Sequence, residues 1–180
     1  NTRLEDMDHR TQAYALYSMA LAGQGNLEAT RQLTKTSLRE LDPFSQAALA
    51  QALHQLGETQ LAGAVLDVLE ASALHKDSFA YWPQSQADGE YHHKTMASTI
   101  RTTAFVLSAI LEVDGPKNPF AQPAADFLIS RRNGYGWGTT NETSFTILAL
   151  TDYLRVQQLQ DGSSDFNIML NGSNLAQGVL

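Results

Sequence analysis

The stretch that decides the fold is Asn133-Gly134-Tyr135-Gly136-Trp137-Gly138-Thr139-Thr140-Asn141-Glu142-Thr143, which runs directly into the segment 144–150 (Ser-Phe-Thr-Ile-Leu-Ala-Leu). Its glycines and aromatic residues predict a tight turn that ends one helix and begins another. The spacing Thr139-x-x-Glu142 is a capping box, which indicates where the second helix starts. This turn is therefore predicted to be the joint of a helical repeat.

The helix after this turn has earlier counterparts in the same register. Segment 103–111 (Thr-Ala-Phe-Val-Leu-Ser-Ala-Ile-Leu) aligns with segment 143–151 (Thr-Ser-Phe-Thr-Ile-Leu-Ala-Leu-Thr) at an offset of 40 residues. Segments 12–20 and 46–54, which begin at Gln12 and Gln46, fit the same register and lie 34 residues apart. The step from Gln46 to Thr103 is longer because an irregular insert lies between them. Repeats of this length are typical of stacked helix pairs.

Successive helices differ in how their apolar residues are distributed. Segment 44–56 is apolar or alanine almost all the way round, which predicts burial on most of its surface. Asp42-Pro43 and Gly57 are predicted to begin and end this helix. Segment 59–74 is amphipathic and carries Asp67 and Glu70 on its polar side. This alternation predicts inner helices around an axis and outer helices that wrap them, so the fold class is all-α, a partial α/α toroid of helix-pair repeats.

Two segments depart from the helical period. Over about 77–96, Phe79, Tyr81, Trp82 and Tyr91 flank the turn signal Asp88-Gly89, which predicts a small β insert, either a short hairpin or an ordered loop. After residues 160–164 the period changes to two, because Phe166, Ile168 and Leu170 alternate with Asn167 and Met169. Asn171-Gly172 follows, a dipeptide that favours a hairpin turn. We expect residues 1–160 to form the toroid, and residues 161–180 to be a C-terminal β-hairpin that belongs to the next domain.

Composition excludes several classes of protein. The 12 Lys and Arg residues, net charge of −7 and pI near 5.1 argue against a nucleic-acid-binding surface. No apolar run approaches the ~18 residues of a membrane span. The absence of cysteine removes disulfides, thiolate nucleophiles, thioesters and cysteine-based zinc sites from this chain. Because the sequence begins at Asn1 without Met, we expect it to be an internal piece of a longer protein.

Glycine and histidine groups invite a chemical interpretation, but a structural one is simpler. Dinucleotide-binding glycines follow a strand, whereas the glycines of segment 134–138 follow a helix, so we expect a tight turn in which Trp137 fills the gap between neighbouring helix pairs. His92-His93, with His54 and His75, lack the spacing of metal ligands, and a solvated loop is the simpler interpretation.

Acidic and amide groups have structural interpretations too. Glu5-Asp6-x-Asp8 precedes a helix start, where the helix dipole favours acidic residues. Asn141 and Asn171 match the glycosylation sequon, but two matches are close to chance and the position of Asn141 is explained by helix capping. No combination of Ser, His and Asp stands out. The sequence therefore predicts no catalytic, cofactor-binding or metal-binding residue and no cofactor.

Segment 134–150 resembles the sequence G-G-F/W-x-S/T-T-Q-D-T-x-x-x-L-x-A-L near the end of the thioester domain of α2-macroglobulins and complement C3-like proteins. Three other stretches are similar to that family and follow the family's order. Segment 46–56 resembles its alanine-rich helix, segment 76–82 (Lys-Asp-Ser-Phe-Ala-Tyr-Trp) its K-D-x-x-x-x-W sequence, and segment 99–111 its E-x-T-A/S-Y-x-L-L-A-x-L helix. The resemblance covers roughly residues 8–175.

The resemblance implies part of an α6/α6 toroid that carries, near its start, a thioester which captures proteases or cell-surface nucleophiles after cleavage of a bait region. This chain would be the later part, about four of six helix pairs, without the thioester. The implied function is that of a scaffold in a broad-spectrum endopeptidase inhibitor, not that of an enzyme. The partners of the whole protein would be proteases. Macroglobulin domains and a CUB-like domain would be its neighbours in the same chain. No catalytic residue is carried over, because the family's His or Asn that tunes acyl transfer aligns before Gln12. The composition looks more like that of a bacterial member, which implies a periplasmic or extracellular location.

Two alternatives belong to other classes. Segment 132–137 (Arg-Asn-Gly-Tyr-Gly-Trp) loosely resembles the Q-x-x-x-G-x-W repeat of terpene cyclases, although no inner helix carries their Asp-rich motif. A plain protein-interaction solenoid is the other alternative. If earlier helix pairs are missing, the helix at about 7–22 should have an uncovered apolar edge and favour self-association.

Overall fold

The computed structural model describes residues 4–84, 97–161, 165–170 and 173–179, and most of them are helical. Seven α-helices lie in this part of the chain: α1 His9–Leu21, α2 Leu27–Ser37, α3 Pro43–Gln55, α4 Thr59–Ala71, α5 Thr99–Val113, α6 Ala121–Ser130 and α7 Thr140–Asp161. Short 3-10 helices, Leu4–Asp6 and Leu38–Glu40, precede α1 and α3.

The odd-numbered helices form an inner row. Helix α1 packs on α3, α3 on α5, and α5 on α7. Each even-numbered helix contacts the two inner helices that it connects in the chain, so α2, α4 and α6 form an outer layer. This two-layer arrangement confirms the predicted α/α toroid.

Burial distinguishes the middle of the inner row from its two ends. All nine residues from 45 to 53 of α3 are buried, as are the seven from 101 to 107 of α5. A helix that is buried all round has neighbours on every side. In contrast, Ala13 and Leu16 are the buried residues of α1, while Ile147, Leu148 and Leu154 of α7 are 51%, 65% and 59% exposed. The outer flanks of α1 and α7 therefore face solvent.

Local signals in the sequence fix where the helices begin and end. Asp42 Oδ1 accepts a hydrogen bond of 2.8 Å from the Ser45 N–H, and Pro43 follows it in the first turn of α3. Gly57, with φ of +82°, follows the end of the same helix. At the start of α7, the Glu142 N–H donates to Thr139 Oγ1 (3.1 Å) and the Thr139 N–H donates to Glu142 Oε2 (2.9 Å). These caps confirm the predicted helix boundaries.

A short hairpin follows α4, and its first strand precedes the β insert that was predicted at about 77–96. Strand β1, Leu74–Lys76, pairs antiparallel with β2, Phe79–Tyr81, around a turn in which Asp77 has φ of +56°. The sequence placed the turn after β2, at Asp88-Gly89, which lies outside the described residues. The Tyr81 ring stacks on Phe127 of α6 at a centroid distance of 4.8 Å, so this hairpin packs against the outer layer.

The chain ends in the predicted second hairpin. Strand β3, Asp165–Leu170, pairs antiparallel with β4, Ser173–Val179. Leu170 lies opposite Ser173, so only residues 171–172 separate the strands, and the register shifts between Ile168 and Met169. Across the described residues, every helix is too short or too polar to serve as a membrane span.

Candidate functional site: the joints between helix pairs

The turn between α6 and α7 is closed by two backbone hydrogen bonds. The Asn133 N–H donates to the Gly136 carbonyl (2.9 Å), and the Gly136 N–H donates to the Asn133 carbonyl (3.0 Å). Gly134 lies between them with φ of +51°. A Cβ on Gly136 would lie 2.6 Å from Thr143 Oγ1, so the close approach of the turn to α7 requires glycine there.

Trp137, which follows this turn, connects α6 to α7. Its indole is 8% exposed, and its Nε1–H donates to the Leu128 carbonyl in the last turn of α6 at 2.5 Å. Its backbone N–H donates to Thr143 Oγ1 in the first turns of α7 at 3.1 Å. This position confirms the prediction that Trp137 fills the gap between neighbouring helix pairs, and the glycines belong to the turn.

Trp82 makes the same two bonds one repeat earlier. Its Nε1–H donates to the Leu69 carbonyl in the last turn of α4 (2.7 Å), and its backbone N–H donates to Thr103 Oγ1 of α5 (3.1 Å). Thr103 and Thr143 are the residues that the sequence repeat aligns at an offset of 40. The two joints are therefore structurally equivalent, although an insert separates Trp82 from α5.

The first joint achieves the same connection with a different residue. Gln46 of α3 aligns with Thr103 and Thr143, and its Nε2–H donates to the Leu38 carbonyl, just after α2, at 2.9 Å. The last carbonyls of a helix lack the regular partners of the helix interior, so a donor from elsewhere can bond to them. In all three described joints a side-chain N–H supplies one. The register in the sequence aligned these positions, but it did not predict the bonds.

A cluster of buried and partly buried polar side chains links α1, α3 and α5. Arg10 Nε lies 3.2 Å from Asp42 Oδ2, and the Asp42 side chain is only 2% exposed. The Gln84 Nε2–H donates to the same carboxylate at 3.4 Å, and the Thr102 hydroxyl donates to Gln84 Oε1 at 2.6 Å. A carboxylate that is buried this deeply is tolerated because it is paired and hydrogen-bonded. Sequence reasoning assigned Asp42 only as a helix cap and missed the cluster.

Aromatic rings from all four inner helices pack together. Phe105 of α5 lies at the centre and is 4% exposed, with ring-centroid distances of 5.3 Å to Tyr17, 4.5 Å to Phe44 and 5.6 Å to Phe145. The Arg101 guanidinium lies 4.2 Å from the Phe44 centroid. Such ring and cation–π contacts add to the stabilisation from apolar burial. The cluster therefore joins the inner row laterally.

The environment of Tyr17 favours its neutral form. Burial is the main cause that raises the pKa of Tyr17 to about 12, and the nearby negative charge of Glu112 adds to it. Glu112 itself accepts a short hydrogen bond from the Gln55 side-chain amide. A phenol with this pKa stays protonated near neutral pH, so Tyr17 is not an activated nucleophile.

Of the four histidines that the sequence singled out, the structure describes His54 and His75. His54 lies near the end of α3, and His75 lies in β1 with its ring 5.6 Å from that of Phe120. His92 and His93 lie outside the described residues. In the described part of the chain, no three His, Asp or Glu side chains are arranged to hold a metal ion.

The acidic residues near the N-terminus have a structural role at Asp8. Asp8 Oδ1 accepts from the Arg10 and Thr11 N–H groups, both at 3.1 Å, as the N-cap of α1. Burial alone would raise the pKa of Asp8, but the hydrogen bonds from Thr11 and Arg10 lower it overall. Asp6 is exposed in the 3-10 helix Leu4–Asp6. Of the two sequon positions, Asn141 lies in the first turn of α7, and Asn171 lies outside the described residues.

The helix pairs and their joints define an α/α-toroid domain, and comparison with known proteins identifies its family. The profile of the A-macroglobulin TED domain matches residues 10–153. The chain is also 26% identical over 119 residues to alpha-2-macroglobulin-like protein 1 of Mus musculus, a match that covers 63% of this chain and 8% of the mouse protein. The chain therefore belongs to the A-macroglobulin TED domain family, as the resemblance in its sequence indicated. It spans less than a tenth of the length of the curated relative that it matches.

Proposed function

We propose that this chain is scaffold from the later part of a thioester-type domain, in a protease-trapping protein of the α2-macroglobulin kind. The observation that carries the proposal is the family match over residues 10–153, which spans all four inner helices up to Tyr153 of α7. The chain has no cysteine, so a Cys–Gln thioester cannot form within it. Any such thioester would have to be contributed by another part of the same protein.

The packing of the chain supports a scaffold role. A covalent trap must hold a reactive acyl group in a fixed position, and that requires a rigid frame. Here the joints bond each outer helix to the chain that follows it, while the aromatic cluster and the Arg10–Asp42 pair connect the inner helices to one another. In the described part of the chain, the side chains of the joints, the aromatic cluster and the Arg10–Asp42 pair cap helices and fill the core. We infer a non-enzymatic role for the chain.

The surroundings of the domain belong to the same proposal. The family match ends at residue 153, and β3 and β4 form a hairpin beyond it, which supports a domain boundary near residue 160 and a neighbouring CUB-like β-domain. The partners of the whole protein would be proteases, together with macroglobulin domains of its own chain. The acidic, cysteine-free composition supports a bacterial source and a periplasmic or extracellular location.

The test compares the isolated chain with the whole protein that contains it. The whole protein should protect casein from trypsin while trypsin still cleaves a small chromogenic peptide, since a trapped protease stays active towards small substrates. The isolated chain at micromolar concentration should protect neither substrate, and its mass should not change after incubation with methylamine.

Each part of the proposal fails on a different result. Protease inhibition or methylamine incorporation by the isolated chain would show that it is more than a scaffold. If casein were cleaved at the same rate with and without the whole protein, the protease-trap function would be wrong.

A further inference from the structure

Tyr135, at the tip of the turn between α6 and α7, projects fully into solvent. It is 105% exposed, whereas Tyr14, the next most exposed aromatic side chain in the described chain, is 41% exposed. A tyrosine ring offers a large apolar surface and a hydroxyl group, a combination that is enriched at protein interfaces. Its neighbour Trp137 is 8% exposed, so the turn buries one ring and presents the other.

The backbone that carries Tyr135 is held rigidly. Two hydrogen bonds close the turn between Asn133 and Gly136, and the Trp137 N–H bond to Thr143 Oγ1 fixes the turn on α7. The bond from the Trp137 indole to Leu128 fixes the turn on α6. A side chain that is displayed on a rigid base loses little backbone entropy on binding, which favours affinity.

The tip also carries positive charge in a chain whose net charge is −7. Arg131 and Arg132 directly precede the turn, and both are exposed. The Arg131 guanidinium lies 4.9 Å from the Phe127 centroid, and within the described residues neither arginine forms an ion pair. Glu142, the acidic residue that follows the turn, accepts a hydrogen bond from the Thr139 N–H. Both guanidinium groups therefore keep donors for an external carboxylate.

We propose that the basic tip, defined as Arg131, Arg132 and Tyr135, is a docking point for an acidic segment of another polypeptide. Arginine and tyrosine dominate the energetic centres of protein interfaces, and arginine binds carboxylates through two parallel hydrogen bonds. An anionic membrane fits less well, because each basic residue contributes only about 1 kcal/mol there. This inference does not depend on the proposed protease-trap function.

The experiment titrates the ¹⁵N-labelled chain with an N-acetylated, C-amidated hexaglutamate peptide at low salt, with hexaglutamine as the uncharged control. Amide shifts should centre on residues 131–136 with hexaglutamate and be absent with hexaglutamine. The shifts should weaken as salt shortens the reach of the charges.

Three variants separate the tip from general charge attraction. Tyr135→Ala and Arg132→Gln should each weaken hexaglutamate binding by at least about fivefold, as the loss of an interface centre does. Arg39→Gln removes an exposed arginine outside the tip and should leave binding unchanged. Because Tyr135 makes no buried contact, its variant should keep the melting temperature of the parent chain.

Three results would overturn the proposal. The first is a set of shifts spread over other basic residues, or equal affinities for all three variants. The second is the same shifts on raising protein concentration without peptide, which would make a second copy the occupant. The third is binding to phosphatidylglycerol vesicles but not to hexaglutamate, which would make a membrane the occupant.

Discussion

Replacing Trp137 with alanine tests whether the joints hold the helix pairs together. The substitution removes an indole that is 8% exposed between α6 and α7. It also removes the Nε1–H donor to the Leu128 carbonyl, but leaves the backbone bond to Thr143 Oγ1 in place. The expected effect is therefore a cavity together with the loss of one hydrogen bond.

The magnitude follows from these two losses. Truncating a buried tryptophan to alanine costs ~3–5 kcal/mol through lost apolar transfer and the cavity left behind. The free-energy cost of the lost hydrogen bond is included in this range, because the Leu128 carbonyl still accepts from the Arg131 N–H at 3.1 Å and is not left unpaired. For a domain of this size each kcal/mol shifts the melting temperature by ~2–4 °C, so Trp137→Ala should lower it by roughly 6–20 °C.

The assay is guanidinium chloride unfolding followed by far-UV circular dichroism, with calorimetry for the melting temperature. Trp137→Phe keeps most of the ring volume without the N–H, so it should cost only about 1–2 kcal/mol. Trp82→Ala, at the equivalent joint and 0% exposed, should cost at least as much as Trp137→Ala. A loss below ~1 kcal/mol for Trp137→Ala would refute the structural role and favour an indole that serves a ligand.

Three further predictions concern the turn, the aromatic cluster and the exposed flanks. Gly136→Ala should destabilise the chain by ~1–3 kcal/mol, because the new Cβ would meet Thr143 Oγ1. Gly63→Ala is the control and should not destabilise the chain, because the space around its Cβ is open. Chemical unfolding of both variants checks this prediction. The pKa of Tyr17 is raised to about 12 in the folded state, so its contribution to stability is present below pH 10 and is lost as pH rises towards 12. Between pH 10 and pH 12 the free energy of unfolding of Tyr17→Phe should therefore fall less than that of the parent chain. An equal fall would contradict the raised pKa of Tyr17. The exposed apolar flank of α7 should drive self-association, detected by analytical ultracentrifugation and dye binding; Leu148→Glu should reduce it, while a monomeric parent chain that binds no dye would argue against it.

The sequence was sufficient for the parts of the fold that depend on local pattern. The register that aligns Gln46, Thr103 and Thr143 located three inner helices, since one repeat occupies one structural environment. Asp42 and the Thr139–Glu142 capping box marked helix starts, because a cap is satisfied within a few residues of itself. Such features need no knowledge of distant contacts.

Sequence analysis missed one short hairpin and one polar cluster. Sequence analysis began the β insert at about residue 77, so it missed strand β1, Leu74–Lys76, which pairs with β2 around Asp77. Aspartate tolerates positive φ, so a turn without glycine is available there. The Arg10–Asp42–Gln84–Thr102 cluster joins residues that lie far apart in the chain. No local pattern marks such a cluster, because each of its members also has an ordinary surface explanation.

The three joints show which property the fold preserves when the sequence varies. A glutamine side chain supplies the donor at the first joint, and tryptophan indoles supply it at the next two. What remains constant is a side-chain N–H donor that is placed against a carbonyl at the end of an outer helix. Trp137 and Thr143 lie six positions apart in the chain, whereas Trp82 and Thr103 lie 21 positions apart, and both pairs form the same bond. The insert between Trp82 and α5 therefore leaves the bond between the joint and the inner helix in place. The toroid that the proposed scaffold role requires can accommodate an insert at this joint.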